Sequence, residues 1–454
     1  MKQTIAIIGG GFTGTMLAKN VLPSDKYKKI LLFNSGNPLA LGPAYSCSEE
    51  TAILNVVTGK MSPFPTQPNA FLNWCHERYY PDLNLDILAG AYVPRKYFGE
   101  FLQEIWQETL SEDLEHKIQI INEKVIGLNQ VDKGSVLHTE TTSFSVDKVV
   151  LATGNERPGL PSFASSNLLQ DARFQQNPWK TNFSSFDKNL PLLIIGNGLT
   201  MVDTVLSLRE KGFKNQIYSI SPNGFNILPH RNFNFSFPLE IDLSQGNVRL
   251  IELVRASNKA IKQLAKVGVT AEPVIDTIRP YVPEIWRNFS ETEKKQFMSR
   301  LRHLWGVARH RIPFSNYDII LREQINGGLK IYAGSILDAQ ITDASISLKF
   351  LDKKTRSENH LEIGGIVVCT GPETKIVKSE NELLKQLLSD GIITQDTLQL
   401  GIRTNTLNFK TVNSKNEENQ HLFAIGGLLK GEIWESTAVP ELRIQIERLA
   451  NSLG

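Results

Sequence analysis

The chain has 454 residues, 41% hydrophobic and 21% charged, and its 49 basic and 47 acidic side chains leave a net charge of +2. This length predicts two or three domains, and the charge balance gives no sign of a nucleic-acid or membrane-surface partner. Three widely separated cysteines argue against a disulfide framework, a zinc site and a redox-active disulfide. Since no run reaches the roughly 18 apolar residues of a membrane span and no signal-peptide cleavage pattern is present, we expect a cytoplasmic protein.

The N-terminus carries the most informative motif. An apolar run at 4–8 ends in a Gly-x-Gly-x-x-Gly turn, a helical run follows to Val21, and a second apolar run covers 30–33. This order predicts the strand, turn, helix and strand that bind a dinucleotide pyrophosphate. Asn34 stands where an acidic ribose contact is usual, and its amide is able to bond a hydroxyl. The expected contacts are Gly9, Gly11, Phe12, Thr13, Gly14 and Asn34.

The next segments predict a long loop followed by two helices. Residues 54–65 are rich in turn formers and include Asn55 and Met61, while helical patterns cover 69–78 and run from Pro94 towards Leu110. Long loops inside compact domains are often functional. Arg95, at the start of the second helix, is either a phosphate or ribose contact or a solvated first-turn arginine.

A second unit of the same kind follows. A strand pattern at 146–151 ends in Ala152, Thr153 and Gly154, whose small size lets backbone approach a nucleotide. An apolar strand at 192–195, a Gly196-x-Gly198 turn, a helix beginning near Leu199 and Thr200 and a strand at 216–220 then repeat the first unit, although Met201 replaces the third small residue. Two units predict two dinucleotide sites. Later strand patterns cover 329–332, 346–351 and 365–368, the last ending near Gly371.

Residues 246–311 are helical by periodicity and end in a basic cluster, Arg309, His310 and Arg311. The cluster is able to hold an anionic substrate or a cofactor phosphate, or it is a solvated basic helix end. Residues 415–420 predict a charged turn, and 422–427 a strand ending in Gly426. A final helix is predicted to open within Trp434–Glu441 and to run to about Ala450, and its N-terminal N–H groups suit an anionic carbonyl region such as that of a reduced flavin.

These segments resemble the two-dinucleotide-binding flavoproteins. More narrowly, they are similar to a family of FAD/NAD(P)-binding proteins related to N-hydroxylating and amine-oxidising flavin monooxygenases. The most specific part is the C-terminal Leu428–Gly431 and Trp434–Arg443. The resemblance implies an α/β protein with two Rossmann-like domains, the second inserted in the first. The FAD-binding domain is expected at 1–189 plus 362–454, and the NAD(P)-binding domain at 190–361 with a helical insertion at about 246–311.

The resemblance also implies a function and a set of contacts. Hydride would pass from NADPH or NADH to FAD, and a flavin hydroperoxide would then give oxygen to a small amine or other nucleophile, with Asn55, Arg309, His310 and Arg311 as candidate catalytic residues. The nicotinamide preference stays open because Ser221-Pro222-Asn223-Gly224 lacks the family's phosphate-binding arginines. The alternatives are a flavin reductase or dehydrogenase without oxygenation and a non-catalytic nucleotide-binding protein. The expected cofactor contacts beyond the first turn are Asn55, Met61, Arg95, Ala152, Thr153, Gly154, Gly196, Gly198, Leu199, Thr200, Ser221, Gly371, Gly426, Trp434, Ser436, Thr437 and Ala438.

Overall fold

A computed structural model describes residues 2–231, 235, 237–244 and 246–454. Sixteen strands lie in this part of the chain. They are β1 (Gln3–Ile8), β2 (Tyr27–Phe33), β3 (Ile118–Ile121), β4 (Val125–Val131), β5 (Gly134–Thr139), β6 (Ser143–Val146), β7 (Lys148–Leu151), β8 (Phe174–Gln175), β9 (Leu192–Ile195), β10 (Ile217–Ser221), β11 (Leu329–Ile341), β12 (Ile346–Asp352), β13 (Ser357–Ile363), β14 (Gly365–Val368), β15 (Lys410–Val412) and β16 (Glu418–Ala424).

The α-helices connect and cover these strands. They are α1 (Phe12–Val21), α2 (Gly42–Tyr45), α3 (Ala70–Tyr79), α4 (Leu85–Ala89), α5 (Arg95–Glu112), α6 (Ser166–Gln170), α7 (Leu199–Glu210), α8 (Leu250–Ala265), α9 (Glu272–Ile278), α10 (Val282–Asn288), α11 (Glu291–Gln296), α12 (Arg302–Arg309), α13 (Phe314–Ile325), α14 (Glu382–Ser389) and α15 (Val439–Leu453). No helix in the described ranges is long and apolar enough to cross a membrane.

The first sheet has six strands in the order β15-β16-β7-β1-β2-β3. The strands from β16 to β3 are parallel, and β15 is an antiparallel edge strand. Central strands such as β1 and β7 are buried on both faces, as expected for a parallel sheet between helices. The carboxyl ends of β1, β2 and β7 therefore meet at one edge, beside the start of α1.

The second sheet has seven strands in the order β13-β12-β11-β10-β9-β14-β8. β9, β10 and β14 are parallel, and the long β11 continues into an antiparallel meander with β12 and β13. The predicted division at 189 and 362 places β8 and β14 in the first domain, whereas their hydrogen bonds lie in this second sheet. In the second unit β14 pairs with β9, just as β7 pairs with β1 in the first unit. Each nucleotide-binding unit therefore includes a strand that comes much later in the chain than its glycine turn.

The helical segment α8–α12 follows the prediction for 246–311 and encloses a core of its own. Prolines in the first turns of α9 and α10 fit the helix starts, where no intrahelical N–H bond is lost. Trp286 on α10 and the partly buried Trp434 pack in this core, with ring centroids 4.9 Å apart. The segment therefore rests against the chain just before α15.

The predicted charged turn at 415–420 is shorter in the structure, because Glu418 already begins β16. Side chains of Asn405 and Asn408 bond the Glu418 carboxylate across the neighbouring loop. The first residues of β16 are polar or charged, and polarity alone suggests a turn.

Candidate functional site

A cavity of about 510 Å³ opens at the carboxyl edge of the first sheet. It is bordered by the ends of β1, β2 and β7, the first turn of α1 and the approach to α15. Twelve of the predicted contacts line it. They are Gly9, Gly11, Phe12, Thr13, Asn34, Ala152, Thr153, Gly154, Thr200, Gly371, Gly426 and Thr437.

Two glycines of the first nucleotide-binding unit leave no room for a side chain. Gly9 has φ +120°, and a Cβ on it would lie 2.2 Å from the carbonyl oxygen of Ala152. A Cβ on Gly14 would lie 1.8 Å from the carbonyl oxygen of Gly9. Gly14 is thus buried in the contact between helix and strand and does not line the cavity.

The polar groups of this cavity fit a dinucleotide. Gly11 caps α1 without a side-chain hydrogen bond, so the N–H groups of the first turn are available to a pyrophosphate. The hydroxyl of Thr153 is buried and has no hydrogen-bond partner in the part of the chain that the structure describes. Asn34 lies in the lining and donates to the carbonyl of Asn37 at 2.9 Å, which leaves its amide oxygen for a ribose hydroxyl.

The second unit repeats this geometry. Gly196 has φ +100°, and a Cβ on it would lie 2.6 Å from the carbonyl oxygen of Cys369, at the end of β14. Gly198 caps α7, which begins at Leu199, and Ser221 accepts the Gly224 N–H at 3.0 Å. Of the predicted contacts in this unit, Gly196, Gly198, Leu199 and Ser221 lie outside the lining of the first cavity, which Thr200 reaches.

Arg95 is committed to an ion pair. Its guanidinium lies 2.9 Å from Asp203 on α7, its Nε donates to the Ile53 carbonyl at 3.2 Å, and it sits over the ring of Trp179. The two charged side chains are only 11% and 16% exposed. Arg95 therefore joins the two nucleotide-binding units, which neither sequence interpretation of it anticipated.

A second cavity, of about 1330 Å³, lies where the 55–60 loop, the chain after β10, the helical segment and α15 meet. Asn55, Arg309 and Arg311 line it together, although Asn55 is more than 250 positions away from the two arginines in sequence. His310 does not line it. This histidine is exposed, and its Nδ1 bonds the Gly306 carbonyl at 3.1 Å.

Arg309 and Arg311 are held by carboxylates. Arg309 lies 3.5 Å from Glu435 and 3.8 Å from Glu441, and Arg311 donates to Asp276 at 2.5 Å. Burial lowers the pKa of Arg309, and the charge of Glu435 opposes that shift. These contacts hold the two guanidinium groups at the cavity wall.

Asn55 is positioned through its backbone. Its carbonyl accepts a hydrogen bond from Nε2 of His230 at 3.1 Å, and the His230 ring stacks on Tyr92 with centroids 5.0 Å apart. Burial, followed by the charge of Arg311, lowers the pKa of His230 to about 4. The imidazole is consequently neutral at pH 7.

Four residues that were predicted to contact the cofactor, Met61, Trp434, Ser436 and Ala438, do not line the first cavity. Met61 is 2% exposed and belongs to the main core. Trp434 lines an apolar cavity of about 480 Å³ in the helical segment. Ser436 is 1% exposed with an unpartnered hydroxyl, and Ala438 caps α15. Ser436 and Ala438 flank Thr437, which reaches the first cavity.

The structure also adds residues that the sequence reasoning missed. Glu123, Lys124 and Val125 line the first cavity beyond β3, and Tyr92 lines the second. The first group follows a strand that the sequence pattern did not reveal. A search for polar residues after each strand of the first sheet would have found it.

The two parallel sheets, their paired glycine turns and the first cavity define a two-dinucleotide-binding flavoprotein fold. Within it, residues 6–156 match the FAD-NAD(P)-binding family, which confirms the predicted cofactor class for this part of the chain. No curated protein sequence matches the chain.

Solved structures share the fold along the whole chain. The ornithine hydroxylase of Pseudomonas aeruginosa is 14% identical with a TM-score of 0.68, and the match covers 100% of this chain and 99% of that one. The Kutzneria sp. 744 ornithine N-hydroxylase, solved with reduced FAD, NADP+ and L-ornithine, is 13% identical with a TM-score of 0.66 and the same coverage. The Pseudomonas syringae L-lysine 6-monooxygenase is 15% identical with a TM-score of 0.66, again covering 100% and 99%. At these identities the likeness concerns the fold.

Proposed function

We propose that this protein is an FAD-dependent oxidoreductase that uses NADH or NADPH and oxygen to oxidise a small amine or other nucleophilic substrate. The observation that carries the proposal is the position of α15. Its start borders both cavities, since Thr437 and Leu442 line the first and Pro440 and Glu441 line the second. The reactive end of a dinucleotide held in the first cavity would therefore meet a substrate in the second.

Each part of the chain has a role in this proposal. The first turn of α1 binds the pyrophosphate, and Asn34 binds a ribose hydroxyl. The N-terminus of α15 stabilises negative charge next to it. Bound FAD supplies hydride acceptance and, once reduced, reaction with oxygen. Asn55 orients the reacting groups with its side-chain amide, and Arg309 and Arg311 hold the substrate.

Relatives of the same fold that oxygenate amines are consistent with this proposal. The relatives described above are hydroxylases or monooxygenases of ornithine and lysine, and a cadaverine monooxygenase of Erwinia amylovora has a TM-score of 0.63. The three cysteines, Cys47, Cys75 and Cys369, include no Cys-x-x-Cys pair, so a dithiol relay in the manner of a disulfide reductase is not favoured.

The first test is anaerobic mixing of the FAD-loaded protein with NADH and, separately, NADPH, followed by absorbance of the flavin band near roughly 450 nm. We expect bleaching by at least one of them. Admission of oxygen with a panel of amines should then give oxygenated product. Reduction with transfer only to quinones or dyes would favour a dehydrogenase, and bound FAD that neither nucleotide reduces would contradict the proposed enzyme.

A substitution at Asn55 tests the proposed role of this residue in the reaction. Asn55→Asp replaces an N–H donor with a carboxylate, so we expect the product formed per NAD(P)H consumed to fall at least tenfold. Asn73→Asp, on the exposed face of α3, is the control for adding a negative charge. If both variants keep the rate of NAD(P)H oxidation and its coupling to product, Asn55 has no part in the reaction.

A further inference from the structure

The second cavity concentrates positive charge. Its lining includes eight lysine or arginine side chains and four aspartate or glutamate side chains. The whole chain, by contrast, has 49 basic and 47 acidic side chains. An excess of positive charge at one cavity of a nearly neutral protein raises the local concentration of anions.

Two of these arginines are buried with unused donors. Arg309 is 9% exposed and Arg311 is 5% exposed, and the Nε of each is buried without a hydrogen-bond partner among the described residues. The carboxylates around Arg309 are 3.5 and 3.8 Å away, which is long for a charge-assisted bond. Buried guanidinium donors without acceptors are costly. Carboxylate or phosphate oxygens of a ligand would satisfy them.

The nucleotides do not account for this charge. The first pyrophosphate turn lines the other cavity, and the second turn, Gly196–Leu199, does not line the arginine-rich one. Arg309 and Arg311 instead face the 55–60 loop and the first turns of α15. The positive charge therefore lies on the substrate side of the proposed reaction centre.

Besides burial, the positive charge of Arg311 also lowers the pKa of His230. The His230 ring lies in the lining of the second cavity. Because the imidazole stays neutral, it adds no cation to the wall at neutral pH. The attraction for anions consequently comes from the arginines and from Lys60.

We propose that the second cavity binds a small molecule that carries two negative charges, a dicarboxylate or a phosphate monoester, and that Arg309 and Arg311 are its main contacts. This inference rests on the proposed function, in which the same cavity receives the molecule to be oxidised. It adds a substrate class, since a neutral or purely cationic amine would offer no anionic acceptor to the buried Nε groups of Arg309 and Arg311.

The test is isothermal titration calorimetry of the FAD-loaded protein at low ionic strength. The probes are succinate, inorganic phosphate, acetate and putrescine, each titrated alone. We expect succinate or phosphate to bind at least tenfold more tightly than acetate, and putrescine not to bind. Binding of succinate alone assigns carboxylates, and binding of phosphate alone assigns a phosphate group. Equal affinity for acetate and both dianions, or no binding of any anion, would overturn the proposal.

Lysine variants identify the contacts. Arg309→Lys and Arg311→Lys keep the charge but lose the planar donor fork, so each should weaken dianion binding at least tenfold. Arg322→Lys is the matched control, because Arg322 is 73% exposed on α13 and lies outside both cavities. Thermal unfolding without ligand shows whether each variant folds. If Arg309→Lys does not fold, Arg311→Lys alone tests the assignment. We expect Arg311→Lys to fold, because Asp276, the ion-pair partner of Arg311, is 55% exposed. Folded lysine variants that bind like the wild type would refute the assignment.

Measuring reduction of the bound FAD by NAD(P)H distinguishes a failure of this inference from a failure of the proposed function. A protein that is reduced by NAD(P)H but binds no dianion would overturn the inference alone. A protein that binds dianions through Arg311 but is reduced by neither nucleotide would overturn the proposed reaction and leave the anion site intact.

Discussion

At the scale of single residues, the ion pair of Arg95 and Asp203 connects the two nucleotide-binding units. Arg95 begins α5, beside the first sheet, and Asp203 lies on α7, beside the second. Both side chains are mostly buried, so each charge depends on the other. Burial raises the pKa of Asp203, and the charge of Arg95 opposes that rise.

Arg95→Met should lower the free energy of unfolding by about 3 kcal/mol at pH 8, because it leaves a buried carboxylate unpaired. Without Arg95, the pKa of Asp203 rises further above its unfolded value. A carboxyl with a raised pKa in the folded state favours folding at low pH and loses that contribution as pH rises. The destabilisation should therefore be smaller at pH 5 than at pH 8, as measured by urea unfolding.

The control is Arg322→Met, which breaks an exposed pair with Asp318 within α13. Its cost should be about 0.5 kcal/mol or less, with little difference between the two pH values. Equal losses for Arg95→Met and Arg322→Met would show that the connection between the units contributes no special stability.

The sequence allowed part of the site to be predicted. The first glycine of each turn, Gly9 and Gly196, is identifiable because close backbone approach excludes a side chain there, and Asn55, Arg309 and Arg311 do share a cavity. The absence of His310 from the lining of this cavity was not predictable, because no local pattern shows that an exposed His310 stands between the buried Arg309 and Arg311. The partner of Arg95 was also hidden, since Asp203 is 108 positions away and belongs to the other unit.

At the scale of elements, the strand-turn-helix unit depends on the contact between the first glycine and a strand much later in the chain. Gly9 lies against the carbonyl of Ala152, and Gly196 lies against that of Cys369. Both neighbours are at the ends of strands that pair with the strand before the turn. Sequence reasoning found the two turns and both later strands. It placed β14 with the wrong sheet because pairing across inserted segments leaves no local pattern.

Gly9→Ala should abolish FAD binding and lower the free energy of unfolding by about 3 kcal/mol, since it combines a positive φ with a clash against Ala152. Gly268→Ala is the matched control. Gly268 has φ +72°, but nothing lies within 4 Å of its Cβ position, so the cost should be about 1 kcal/mol with FAD retained. Flavin absorbance and urea unfolding measure the two effects. A Gly9→Ala protein that retains FAD like the control would contradict the assigned cradle.

At the scale of the whole molecule, the helical segment closes the second cavity from one side. Trp286 donates to the Gly431 carbonyl at 2.8 Å, Trp305 to Glu435 at 3.1 Å and Arg279 to Glu441 at 2.9 Å. The three acceptors lie in the chain leading into α15 or in its first turn. These hydrogen bonds couple the helical segment to α15. The segment therefore determines the shape of the second cavity, the proposed substrate side of the site.

The hydrogen bond of Trp286 tests this coupling. Trp286→Phe keeps an aromatic ring in the core but leaves the Gly431 carbonyl unpaired, so it should cost about 1–3 kcal/mol. Amide hydrogen exchange should accelerate both in α10 and at 431–441, because the two regions hold each other. Trp74→Phe, which removes a bond to Glu104 between α3 and α5, should accelerate exchange only around those helices. Faster exchange confined to α10 in Trp286→Phe would mean that the helical segment and α15 open independently, and that the segment does not fix the geometry of the second cavity.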